Sequence, residues 1–194
     1  MILEGYAAFD DPYVYKGATV LKNRLGIRDQ ETLEAFEVEM STLRAEEPMP
    51  SGRFDAAHYR KIHHFLFQDV YRWAGRYRTV RMAKDQNVFC YPEHISEQMD
   101  KLFEQLNHGK LLRTDEFPLF AERAANFLGT LNAIHPFREG NGRTQLAFLG
   151  LVAVQVGHPL CLDRIKQETF LPAMVASFTN NLAPLIAELM ALRA

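Results

Sequence analysis

Apolar residues recur with helical period along most of this chain. Leu33, Phe36, Met40 and Leu43 share one side of a helix opened by Asp29, whose carboxylate suits an N-cap. Residues 46–52 hold two prolines and a glycine and read as a loop. Tyr59, Ile62, Leu66 and Val70 repeat at helical spacing after Asp55 and predict a second helix running out near residues 74–75. The period then stops. Residues 79–82 and 88–91 have strand composition, and polar residues 84–87 suit a turn, so a β-hairpin is expected over about 79–91. Helical patterning returns over about 94–106, 117–134 and 143–156, and from 163 to the C-terminus, with breaks near 157–159 and at Pro184. The expectation is a mainly α fold, a helical bundle with one small hairpin.

Composition narrows the class without naming a chemistry. The 194 residues suit a single domain spanning 1–194. A 47% hydrophobic and 24% charged balance is that of an ordinary globular chain. Lys plus Arg is 22 against 24 for Asp plus Glu, a net charge of -2, so no basic field points to nucleic acid or an anionic membrane. The two cysteines, Cys90 and Cys161, make no disulfide framework. The first residues lack a signal-peptide pattern, and the apolar run 146–156 is too short to span a bilayer. A cytoplasmic protein is expected.

The chemistry concentrates in the stretch His135-Pro136-Phe137-Arg138-Glu139-Gly140-Asn141-Gly142-Arg143. Pro136 disfavours helix at His135, so the preceding helix ends there. Gly140 and Gly142 permit backbone conformations closed to other residues. A glycine loop feeding a helix N-terminus presents amides and a dipole to an anion such as phosphate. Asn141 adds a side-chain donor and Arg143 a fork of donors. Glu139 is the one acid, placed to hold Mg²⁺ beside a polyphosphate. His135 can take a proton near neutral pH, and Phe137 anchors the loop in the core. Each residue alone has an ordinary structural reading. Together they supply a base, a metal ligand, an anion nest and a cation in nine residues.

That string resembles the signature of Fic-domain proteins, His-x-Phe-x-Asp/Glu-Gly-Asn-Gly-Arg-x-x-Arg. A chance match to its first seven specified positions is rarer than roughly one in a million. Asp11-Pro12-Tyr13 with Leu21-Lys22-Asn23-Arg24-Leu25-Gly26 resembles the start of bacterial Fic toxins and of some secreted effectors. Ile62-His63, Leu66-Phe67, Asp69, Tyr71 and Trp73-Ala74-Gly75 resemble the segment before the family's flap.

The resemblance implies a protein adenylyltransferase that moves AMP from ATP to a Ser, Thr or Tyr hydroxyl. His135 is then the general base and Glu139 the Mg²⁺ ligand. Gly140, Asn141, Gly142 and Arg143 bind the nucleotide phosphates. The hairpin becomes the flap, which aligns a target protein by main-chain pairing. Family targets include topoisomerase subunits and small GTPases, and a small separate antitoxin is a possible partner by analogy with bacterial toxins. In a secreted effector the site of action would be a host cytosol.

One position departs from the pattern. The second motif Arg is Leu146 here. In the family that Arg binds the terminal ATP phosphate and receives an inhibitory Glu. Leu146 can do neither, which opens three readings: weaker ATP binding, another donor (UMP, phosphate or phosphocholine), or a catalytically poor module that binds a partner. The inhibitory pattern Ser/Thr-x-x-x-Glu-Gly/Asn is not met either, since Thr42 and Glu46 are followed by Glu47. Adjacent His63 and His64 point apart on a helix and read as structural, as does His158. Asn132 reads either as a brace for the loop or as a solvated side chain. Lys84 reads either as a solvated turn lysine or as a side chain that approaches the nucleotide or target from the hairpin tip, and Trp73 with Tyr71 and Phe67 as core.

Overall fold

The computed structural model describes residues 11–84, 87–107 and 113–194, and among these lie seven α-helices and one two-stranded antiparallel sheet. Helix α1 (Gln30–Glu46) opens at Asp29, whose carboxylate accepts the Thr32 N–H at 2.9 Å. Its buried stripe differs from the expected one. Leu33, Glu37 and Ser41 face inward, Phe36 and Met40 are half-buried against the core, and Leu43 is exposed. The two polar residues hold inward positions because Arg143 meets them there.

Helix α2 (Ala56–Phe67) is capped by Asp55, which accepts the His58 N–H at 2.7 Å. It stops well before residues 74–75. The chain turns back instead, with Gly75 at φ 80°, a left-handed conformation in which any Cβ would sit 2.9 Å from the Arg60 carbonyl oxygen. The Gly75 N–H donates to His63 Nδ1 at 2.8 Å. Val70 and Tyr71 stay buried through this turn, so the apolar spacing outlasts the helix that it predicted.

The hairpin is present but shorter than expected. Strands β1 (Ala83–Lys84) and β2 (Asn87–Val88) pair in the register Ala83↔Val88 and Lys84↔Asn87. The middle of the turn, residues 85 and 86, falls outside the described residues. Helix α3 (Ile95–Asn107) follows a 3-10 turn at Pro92–His94. Then come α4 (Phe117–Ile134), α5 (Asn141–Gln155), α6 (Gln167–Ala176) and α7 (Ala183–Ala191).

Helix α4 is the hub. Buried residues cover most of its surface, leaving an exposed stripe at Pro118, Glu122, Asn126 and Thr130, and it touches α3, α5, α6 and α7. Asn132, half-buried, joins it to α6 through a 3.3 Å bond to the Met174 carbonyl, so this side chain ties helix to helix rather than bracing the loop. His158 donates from Nε2 to the Thr114 carbonyl at 2.7 Å, a structural role. Among the described residues no helix is long and apolar enough to cross a membrane.

Candidate active site

The glycine loop joins the end of α4 to the start of α5. His135 is the C-cap of α4 in a left-handed conformation, φ 47° and ψ 63°, and its N–H donates to the Leu131 carbonyl at 3.0 Å. A non-glycine residue holds that conformation only where its surroundings fix it. The fixing group is Arg78, whose Nε donates to the His135 carbonyl at 2.8 Å. The His135 ring stacks on Phe89 with centroids 4.0 Å apart.

Phe137 anchors the loop as expected. It is fully buried and stacks on His63 at 3.7 Å and on Tyr59 at 5.6 Å. His63 therefore has a role that its sequence position did not reveal. Its Nδ1 accepts from Gly75, so Nε2 carries the proton and donates to the Glu139 carbonyl at 2.9 Å. Burial lowers the pKa of His63 to about 3, which keeps this brace neutral.

Asn141 behaves differently from the sequence reading. Its amide is closed on Phe137, with Oδ1 accepting the Phe137 N–H at 3.0 Å and Nδ2 donating to the Phe137 carbonyl at 2.8 Å. Its side-chain donor thus holds the loop shape, and what Asn141 can offer a ligand is its backbone amide. The two glycines also separate. Gly140 needs its identity twice over: φ is 79°, and a Cβ would meet the Phe67 ring at 2.4 Å. Gly142 has no positive φ, and a Cβ there would meet nothing within 4 Å. Beside the first amides of α5, which have no acceptor in the helix itself, the backbone thus borders open space.

Two charged groups flank that space. Glu139 Oε1 accepts the Gly140 N–H at 2.7 Å. Burial, reinforced by the nearby carboxylate of Glu37, raises the Glu139 pKa to about 7. Arg143 donates to Ser41 Oγ at 2.9 Å and to Glu37, and lies 3.8 Å from Glu139. Glu37 also receives the Tyr71 hydroxyl. Glu37 and Tyr71 were not legible as site residues, because only the fold brings α1 and the turn after α2 to the loop.

His135 sits opposite in electrostatic character. Burial, then the Arg78 charge, lowers its pKa to about 3, with Lys84 and Arg138 acting in the same sense and a backbone hydrogen bond at Asn132 opposing. The imidazole is therefore neutral at any physiological pH. It is not tuned to neutrality as its residue type suggested. Lys84 is half-buried and its charge reaches His135, so it is no merely solvated turn residue.

With this geometry in place, comparison with known proteins is decisive. Residues 53–153 match the Fic/DOC family. The chain belongs to that family. It is 48% identical over 185 residues to the probable protein adenylyltransferase y4lH of Sinorhizobium fredii, covering 95% of this chain and 96% of that one. The probable protein adenylyltransferase Fic of Escherichia coli is 34% identical, over 90% of this chain and 88% of its own length. Among solved structures, the Fic fold recurs in BepC of Bartonella tribocorum, bound to AMPPNP. That match has a TM-score of 0.84 and 28% identity, covering 94% of this chain and 96% of the other. The Fic domain of a Bartonella quintana effector, bound to ADP, superposes with a TM-score of 0.84 at 29% identity and 94% coverage of both chains.

Within this Fic fold, Leu146 is half-buried and packed against the core. Among the described residues no cluster of three or more His, Cys, Asp or Glu could hold a metal unaided. The Glu139 carboxylate would suit Mg²⁺ in another way, since that ion takes one or two carboxylates and completes its shell with phosphate oxygens and water.

Proposed function

We propose that this Fic domain is a protein adenylyltransferase that joins AMP from ATP to a hydroxyl side chain of a target protein. The observation that carries the reading is the glycine loop at the start of α5, where exposed Gly142 leaves the backbone open and the Arg143 and Glu139 side chains lie 3.8 Å apart. Helix amides, the helix dipole and a guanidinium there favour a polyphosphate. The relatives named as adenylyltransferases, and the nucleotides bound in Bartonella structures of the same fold, support it.

In the reaction the target oxygen bonds to the α-phosphorus, the bond from that phosphorus to the β-phosphate bridge oxygen breaks, and pyrophosphate leaves. His135 accepts the hydroxyl proton. Its low resting pKa rises once phosphate charge lies nearby, because an opposite charge favours the protonated imidazole. Gly140, Asn141 and Gly142 offer main-chain amides and Arg143 its guanidinium, which positions the chain of phosphates. Glu139 would hold Mg²⁺, which neutralises phosphate charge when bound. A target segment would pair with the main chain of the hairpin, where Val88 is exposed. Topoisomerase subunits and small GTPases are the target classes suggested by the family resemblance, and a small separate antitoxin remains a candidate regulator.

Leu146 favours a second reading, in which the donor is not ATP or the label moves from another position. One experiment addresses both. The chain and its His135→Ala variant are incubated with Mg²⁺, bacterial lysate and ATP labelled at the α- or the γ-phosphate. Protein labelled from the α-position only, and lost in the variant, is the expected result. Label from the γ-position only would replace AMP transfer with phosphate transfer.

A further inference from the structure

Arg78 is one of the most completely buried charged residues of the fold, 2% exposed, yet among the described residues no carboxylate pairs with it. Its partners are all main-chain carbonyls. Nε donates to His135 at 2.8 Å, one terminal nitrogen to Val80 at 2.5 Å, and the other to Cys90 at 2.6 Å and Ile134 at 3.2 Å. Its own N–H donates to Pro136 at 2.9 Å. One side chain thus bonds both limbs of the hairpin, the last turn of α4 and the base itself. The carbonyls at a helix C-terminus carry the negative end of its dipole and have no intrahelical donor, which explains how a cation is tolerated there.

The same bonds explain the shortness of β1 and β2. Phe89 still donates to Met82 at 3.1 Å, one step outside the strands. Beyond that, the Val80 and Cys90 carbonyls turn to the guanidinium instead of to the opposite limb. The Cys90 N–H goes to the Ala133 carbonyl of α4 at 3.0 Å. The limbs are therefore splayed, and each is fixed to the end of α4 rather than to the other.

We propose that Arg78 is a positioning residue that locks the hairpin to His135, so that a segment paired along the hairpin is delivered in register with the base. This rests on the proposed transfer reaction for its catalytic consequence, while the locking itself does not depend on that reaction. Packing alone would not select an arginine, since an apolar side chain fills buried volume without the cost of desolvating a charge. A rigid fork of donors is needed to reach four carbonyls on three chain segments at once, and lysine cannot reproduce that geometry. The cation also faces the imidazole, together with Lys84 and Arg138, and adds to the burial that keeps it neutral.

The test uses Arg78→Lys and Arg78→Gln in the full chain, with three readouts. Amide hydrogen exchange should rise at least tenfold at Phe89 and Cys90, while α6 and α7 keep their protection. Affinity for a fluorescent ATP analogue should stay within about threefold, because Arg78 makes no contact with the start of α5. Transfer of α-label to protein should fall on the order of 100-fold in both variants. Unchanged hairpin exchange in a folded variant would overturn the proposal, as would a uniform loss of protection or an equal loss of nucleotide affinity. If Arg78→Gln does not fold, Arg78→Lys decides through the exchange and affinity readouts. A wild-type chain that transfers no label refutes the proposed function, and the exchange measurement then still decides whether Arg78 locks the hairpin.

Discussion

The two loop glycines serve different ends. Gly140→Ala should cost ~1–2 kcal/mol for the left-handed backbone alone, and more for displacing the Phe67 ring, measured by denaturant unfolding. Gly142→Ala should leave stability unchanged or improved by up to about 1 kcal/mol. Its methyl instead enters the open space, so nucleotide affinity should fall, which a titration with an ATP analogue reads. The pH dependence follows from the other site residues. Glu139 must be ionised to hold a cation, and burial with Glu37 nearby sets its pKa at about 7. Activity at low substrate should therefore fall as pH drops through about 7, and this limb should move to lower pH as Mg²⁺ is raised. His135 must be neutral to act, and its free-enzyme protonation near pH 3 should leave no trace between pH 6 and 8. Glu37→Gln removes a like charge from beside Glu139, so the same limb should shift downward, as measured by kcat/KM across pH.

At the scale of elements, local signals marked starts better than ends. Asp29 and Asp55 cap their helices where the sequence placed them, because an N-cap is a contact within three residues. Asp55→Ala should cost about 1 kcal/mol of stability in thermal or denaturant unfolding. Helix α2 ends before its apolar spacing does, because Val70 and Tyr71 are buried by a turn that His63 and Gly75 define. The hairpin strands are shorter than their composition suggests, because the competing donor, Arg78, acts through tertiary structure. The motif residues were legible as a set, since they are consecutive in the chain. Glu37, Tyr71, His63 and Arg78 were not, since each reaches the loop from a different element. Leu146 lies one turn beyond Arg143 on α5 and packs on the core. Leu146→Arg should strengthen ATP binding by adding a second guanidinium near the phosphates, and an unchanged dissociation constant would show that position 146 has no part in nucleotide affinity.

Across the whole molecule, the glycine loop is clamped by parts far apart in the chain. Asp11 pairs with Arg138 at 2.7 Å, with side chains 5% and 9% exposed, and ties the start of the described chain to the loop. Asp11→Ala would strand a buried guanidinium, at a cost of about 3–5 kcal/mol, which chemical denaturation would register. Nothing local announces this pair, although both partners lie in segments that the family resemblance had already singled out. The sole tryptophan of the chain, Trp73, stacks on Tyr71 with centroids 4.4 Å apart. Tyr71 donates to Glu37, and Glu37 holds Arg143. An anion that draws Arg143 away from Glu37 should therefore alter the surroundings of the one indole. Intrinsic emission becomes an optical gauge of site occupancy, already wired into the protein and needing no attached dye.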